Sequence, residues 1–260
     1  MCVPVMSYSI LDPATPDSKR ASQCALAVMA KAPRPGRVKT RLSPPLTGEQ
    51  AAAINVCFLR DTTENIAALG ARCSSVGVVS YTPVSDEALF DNLLPRGFAL
   101  IPQRGDGFGE RLMATAEDIL ACGYGSVCLI DSDSPTVPAV AFEQAVAALQ
   151  REGDRVVLGP SHDGGYYLIG LKRAHSGLFT DITWSTASVF SETVSAAKTA
   201  GIEVVLLPLW YDIDDHETLE LLKAELLHGT APSFTSVSGY DAVHTRDYLY
   251  ELNRTSGDCP

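Results

Sequence analysis

Short apolar runs alternate with longer amphipathic stretches along this chain, from residue 24 to about residue 228. Residues 24–30, 75–81, 98–101, 126–130, 155–159 and 203–207 each read as a strand, being runs of strand length bounded by Gly, Pro or polar residues. The first long amphipathic stretch puts Ile54, Phe58, Leu59, Ile66 and Leu69 at helical spacing, with a Thr47-x-x-Gln50 capping box before it and Gly70 after it. Further helices are predicted up to residue 121, over 138–152, up to residue 200 behind a Ser185 or Thr186 cap, and up to residue 228. Such alternation predicts a three-layer α/β/α fold with a mostly parallel central sheet. Residues 163–171 begin as a turn and become extended, which puts Tyr167, Ile169 and Leu171 on one face and Tyr166, Leu168 and Gly170 on the other.

The two ends lack this periodicity. Residues 1–22 are rich in Pro, Ser, Asp and Thr and read as a mobile leader, 23–229 as the domain, and 230–260 as a peripheral tail or short helix. A formal net charge of -11 argues against a nucleic-acid partner, which calls for a broad basic face. The seven cysteines show no metal-ligand spacing and read as core thiols of a reducing compartment. With no apolar run of spanning length and no signal-peptide core, the expected location is cytoplasmic, and no pattern sets an oligomeric state.

Candidate chemistry gathers where the strands end, as ligands do in parallel sheets. The run 126–130 stops at Asp131-x-Asp133, and two carboxylates pointing the same way from an extended segment suit Mg2+ or Mn2+. No acidic residue occurs from 18 to 48, yet Lys31, Arg34, Arg37, Lys39 and Arg41 crowd into the loop after the first strand, a concentration of charge that attracts an anion. Neither a Walker loop nor a Gly-x-Gly-x-x-Gly turn is present there. Gln103 and the glycines at 105, 107 and 109 offer close backbone approach to a base or ribose, and Asp163, Gly164, Gly165, Tyr166 and Trp184 an acceptor surface. Asp212, Asp214, Asp215 and Glu217 precede the helix ending near His228; the last two suit a helix N-terminus, whereas Asp212 and Asp214 lie earlier and share a face.

Met29-Ala-Lys-Ala-Pro-Arg-Pro-Gly-Arg-Val-Lys-Thr-Arg-Leu42, Phe108-Gly-Glu-Arg-Leu112, Asp131-Ser-Asp-Ser-Pro135, Asp163-Gly-Gly-Tyr-Tyr-Leu-Ile-Gly-Leu171 and Asp212-Ile-Asp214 occur in this order. As a set, over about residues 24–227, they resemble the DUF2064 family of radical-SAM/selenodomain-associated transferases. That family is part of the nucleotide-diphospho-sugar transferase superfamily and is similar to the phospholactate and molybdenum-cofactor guanylyltransferases. The resemblance implies a GT-A-like, Rossmann-like fold and a metal held by Asp133 and Asp214, with Asp212 as a further candidate. It assigns nucleotide phosphates to Lys31, Arg37, Lys39 and Arg41, with Gln103, Gly107 and Asp131 also on the nucleotide, and catalysis to Lys39, Arg41 and Asp133. One departure stands out: the usual Asp-Ile-Asp-Thr-Pro is Asp212-Ile-Asp-Asp-His216 here.

The leading expectation is Mg2+-dependent nucleotidyl transfer from a nucleoside triphosphate to a small phosphorylated or hydroxyl acceptor. Positioning and electrostatics carry such chemistry, so no side-chain nucleophile is needed. The alternative is glycosyl transfer from a nucleotide sugar. Behind these come a haloacid-dehalogenase-type phosphatase, disfavoured because its nucleophile strand normally opens the domain, and a non-catalytic nucleotide-binding module.

Overall fold

The computed structural model describes residues 8–70 and 72–256. Eight strands form a single sheet: β1 (Ser9–Ile10), β2 (Cys24–Lys31), β3 (Ser75–Thr82), β4 (Ala99–Pro102), β5 (Ser126–Ile130), β6 (Arg155–Pro160), β7 (Tyr166–Leu171) and β8 (Glu203–Leu206). Their order is β1-β4-β3-β2-β5-β7-β6-β8, parallel throughout except for β7, which runs against both β5 and β6. Helices α1 (Gly48–Ala67), α2 (Phe108–Ala121), α3 (Ala139–Gln150), α4 (Val189–Thr199), α5 (His216–His228) and α6 (Val243–Ser256) complete the described fold.

The sheet separates two apolar clusters. On one face Ile54 and Phe58 of α1, Phe142 of α3, Leu219 and Leu222 of α5 and Leu249 of α6 pack with Leu26, Val28 and Ile130. On the other, Leu112, Ala116 and Ile119 of α2 and Ala197 of α4 pack with Ala25, Ala27 and Leu129. Alternate residues of β2 and β5 therefore feed opposite layers, as the period of two requires. The expected three-layer α/β/α architecture is present, and α1 opens on the expected capping box, with Thr47 and Gln50 satisfying each other's backbone N–H.

Four expectations need correction. Residues 8–22 are docked: β1 pairs with β4, Leu11 is buried, the Asp17 N–H donates to the Cys122 carbonyl, and Arg20 donates to that same carbonyl while lying over the Tyr124 ring. Residues 1–7 of the expected leader lie outside the described residues. At the other end α6 packs along α1, where the Asp61 carboxylate accepts the His244 and Thr245 N–H groups and the Thr245 hydroxyl, so a side chain of α1 satisfies the start of another helix. Finally, a bulge between Gly159 and Pro160 breaks the alternation of β7, so that Tyr167 packs with Leu168 in one cluster while Ile169 and Leu171 sit in the other. α4 also starts later than expected, at Val189 after Ser188, while the Thr186 hydroxyl donates to the Thr183 carbonyl.

Candidate active site

The C-terminal ends of β2 and β5, the turn between β6 and β7, and the segment before α5 meet at one rim of the sheet. The basic loop leaves β2 and is tied down first by Arg34, whose guanidinium makes a two-pronged pair with Asp86, 2.7 Å from Nε to Oδ2. That guanidinium holds the Asp86 carboxyl below the usual carboxylate range. Arg34 is thereby spent on anchoring the loop. The backbone then turns at Lys39 in the left-handed conformation (φ 48°), just before a short 3-10 turn at Thr40–Leu42.

This turn aims Lys39 inward. Its Nζ lies 2.9 Å from Asp133 Oδ1 and 3.3 Å from Asp214 Oδ1, and donates to the Ile213 carbonyl, while the side chain is only 5% exposed. Burial works against this charge, but Asp133 and Asp214 outweigh it and the Lys39 pKa rises above its ordinary value. Arg41, largely exposed, reaches the other oxygen of Asp214 at 3.3 Å. The Ile213 N–H donates to the Asp133 carbonyl, which ties the segment before α5 to the end of β5 and fixes the spacing of the two carboxylates.

Asp131 and Asp133 do not sit on an extended segment facing the same way. Asp131 folds back, accepting the Ser134 hydroxyl at 2.7 Å and the Asp133 N–H at 3.3 Å. Burial, with the Asp133 and Asp212 carboxylates close by, pushes its carboxyl well above the ordinary range. Asp212 accepts the Ser161 hydroxyl at 2.8 Å, and burial beside Asp163 raises its pKa to about 6. Asp215 caps α5 through the Thr218 N–H, as expected of an acid at a helix start.

Two cavities meet at these residues. The smaller, about 260 Å³, is basic and polar, lined by Lys31, Arg37, Lys39 and Arg41 with Asn55 and Ser132. The larger, about 490 Å³, is lined by Asp131, Ser161, Asp163 and Asp212 with an aromatic wall of Phe108, Tyr166 and Trp184. Arg41, Asp133 and Asp214 border both. The wall is built edge to face: Phe108 and Tyr166 stand at 80° and 81° to the Trp184 indole, with ring centres 5.3 and 6.4 Å away.

All four expected phosphate ligands thus line one cavity, and among the described residues neither Lys31 nor Arg37 pairs with a carboxylate. Of the expected acceptor residues, Asp163, Gly165, Tyr166 and Trp184 line the other. Gly164 instead fits under the loop before α4, where an added Cβ would lie 2.7 Å from Ala187 Cα. Gln103 and Gly107 border neither cavity: the Gln103 amide donates to the Ser80 carbonyl, and Gly107 starts α2, its N–H held by Glu110. Asp131 and Asp212 face the larger cavity and not the basic one. Sequence reasoning passed over Phe108 and Ser161 as site residues; an aromatic at the first position of a helix, 47% exposed here, was the available signal for the former.

Among the described residues, no group of three or more His, Cys, Asp or Glu side chains is arranged to hold a metal ion. The oxygens of Asp133, Asp214 and the Ile213 carbonyl nevertheless converge on a single positive charge, that of Lys39. Two carboxylates beside a basic cavity suit Mg2+ or Mn2+, which commonly takes its remaining ligands from substrate and water. The donor set therefore fits such an ion at Asp133 and Asp214, with Asp212 turned away toward Ser161. No helix among the described residues is long and apolar enough to cross a membrane.

A family model described as an uncharacterized protein conserved in bacteria, DUF2064, matches residues 65–186. A crystal structure from Desulfovibrio desulfuricans, assigned as a nucleotide-diphospho-sugar transferase, matches with 29% identity and a TM-score of 0.74, covering 90% of this chain and 96% of that one. The fold is shared with 4-diphosphocytidyl-2C-methyl-D-erythritol synthase from Anaerococcus prevotii, 10% identical with a TM-score of 0.51, over 81% of this chain and 99% of that one. No curated protein matches the chain.

Proposed function

We propose that this chain, which matches the DUF2064 model over residues 65–186, is a transferase that uses a nucleotide substrate, and more narrowly one that carries out nucleotidyl transfer from a nucleoside triphosphate to a hydroxyl acceptor. The observation that carries this reading is the junction of a basic cavity with an acidic, aromatic one at Arg41, Asp133 and Asp214. Phosphates belong with the cations, and the rest of the reacting pair belongs in the larger space, whose volume of about 490 Å³ falls in the range of small-molecule sites.

In this arrangement Lys31 and Arg37 hold the β- and γ-phosphates, and Arg41 lies at the junction where the α-phosphate is attacked. The acceptor hydroxyl releases its proton to solvent as its oxygen forms a new bond to the α-phosphorus and the bond to pyrophosphate breaks, and the basic loop stabilises charge building on the leaving group. Asp133 and Asp214 would hold a Mg2+ or Mn2+ ion. When bound, such an ion supplies neutralisation of phosphate charge and a template for in-line transfer. Asp163 and Asp212 line the acceptor side and repel a phosphorylated acceptor, which favours a hydroxyl compound that carries no phosphate.

Glycosyl transfer is the second reading, favoured by the assignment of the Desulfovibrio desulfuricans neighbour. Calorimetric titration of triphosphates and nucleotide sugars into wild type and Arg37→Ala, with Mg2+ present, separates the two. Nucleotidyl transfer requires the triphosphate to bind tighter than its sugar diphosphate, with a loss of about ten-fold in the variant that spares the sugar nucleotide. Tighter sugar-nucleotide binding, weakened equally with the triphosphate, overturns that assignment in favour of glycosyl transfer.

A further inference from the structure

The Lys39 ammonium occupies the space between the Asp133 and Asp214 carboxylates. It touches one oxygen of each carboxylate and the Ile213 carbonyl, and its Nζ lies 5.8 Å from the centre of the Phe58 ring. The side chain is nearly buried, although Asp133 and Asp214 are 34% and 46% exposed. The same residue also lines the basic cavity beside Lys31 and Arg37, so its ammonium borders the space assigned above to phosphates.

We infer that Lys39 is a tethered counter-ion: it keeps the Asp133–Asp214 pair closed to free divalent cations, and gives up its place when phosphates arrive to receive its ammonium. The inference rests on the reading of the basic cavity as a phosphate site. With Lys39 and Arg41 present, the two carboxylates are already balanced by two positive charges. A lone Mg2+ ion entering between them displaces a nearly buried ammonium that then has no carboxylate partner, which is costly. A triphosphate changes that balance. It offers the displaced ammonium charge-assisted contacts within reach of its four-carbon stem, and brings oxygens that complete the coordination of the ion.

The exchange needs no backbone movement. Lys39 is fixed in its left-handed turn, ahead of the 3-10 turn that carries Arg41, and only the side chain has to swing. Metal and phosphate binding are therefore coupled: each raises the affinity for the other by the same factor. The site binds the metal–nucleotide complex well and either component alone poorly.

The test uses Mn2+ alone, followed by electron paramagnetic resonance, on the full chain without nucleotide. Wild type should bind Mn2+ weakly, Lys39→Gln about ten-fold or more tightly, and Lys39→Arg, which keeps the positive charge, as weakly as wild type. Lys39→Met, which preserves an apolar stem against Phe58, should gain as Lys39→Gln does and serves if that variant does not fold. Equal Mn2+ affinity in wild type and in the neutral variants overturns the inference, as does an equal gain in Lys39→Arg. A panel of triphosphates and nucleotide sugars titrated into wild type separates this from a failure of the phosphate reading. Binding there, with no Mn2+ gain in the neutral variants, discards the exchange and keeps the site.

Discussion

Gly109 and Trp184 are packed so closely that a Cβ on Gly109 would lie 2.7 Å from indole Cε2, and 2.9 Å from the Phe179 carbonyl. Gly109 sits in the first turn of α2, where alanine is ordinarily the better helix former by about 1 kcal/mol. Contact with backbone on one side and a wedged indole on the other reverses that sign. Gly109→Ala should destabilise by roughly 1 to 3 kcal/mol and move Trp184 out of the cavity wall. Thermal melting together with tryptophan fluorescence checks this; an unchanged spectrum with a raised melting temperature would contradict it.

Truncation of residues 1–22 should lower the melting temperature by several degrees. It removes the β1 pairing, the buried Leu11 and the hydrogen bonds to the Cys122 carbonyl, and it uncovers the edge of β4. Burial of a leucine side chain alone is typically worth about 1.5 to 3 kcal/mol. Differential scanning fluorimetry of the shortened chain is the measurement, with light scattering to record association through the exposed strand edge.

Arg34→Gln should loosen the basic loop, and its effect should depend on pH in a defined direction. Because Arg34 depresses the Asp86 pKa in the folded protein, the pair contributes stability above the unfolded carboxylate value of about 4, and loses it as pH falls through the lower folded value. The gap in stability between wild type and variant should therefore be constant near neutrality and close in acid. Urea unfolding at pH 7 and at successively lower pH values tests the direction; a gap that widens in acid would refute it.

Asp61→Ala should detach the start of α6 from α1. The buried carboxylate accepts three donors from His244 and Thr245, and two of these are N–H groups that otherwise lack partners at the helix start. A loss of about 1 to 3 kcal/mol is expected, with faster amide hydrogen exchange in α6 and little change in α3. Loss of protection spread evenly over the molecule would show that the cap has no local role.

What could be read in the sequence was what depends on near neighbours. The Thr47 and Gln50 pairing lies within four residues, and the apolar runs of β2 and β5 carry their own evidence of burial. The capture of Arg34 by Asp86 spans 52 positions, so one of five loop cations could not be told from the others before folding. Gly105, Gly107 and Gly109 show the same limit. A glycine that leaves room for a ligand and one that leaves room for an indole look alike in the sequence, and only the position of Trp184 distinguishes them. The leader was misjudged because two residues of edge strand and one buried leucine give no periodic signal.

The reversed direction of β7 has a consequence for how this molecule can diversify. Because β7 begins beside the point where β5 and β6 end, the chain crosses from β6 to β7 in a tight hairpin tip at the same rim, with no helix intervening. Ser161, Asp163, Gly165 and Tyr166 of that tip and its flanks border the larger cavity. Residues inserted there would alter the reach of that wall while the paired parts of both strands kept their register. Chamber width is thus the dimension that sequence change adjusts most cheaply, whereas the spacing of Asp133 and Asp214, tied across two elements by the Ile213 N–H, is not free to drift.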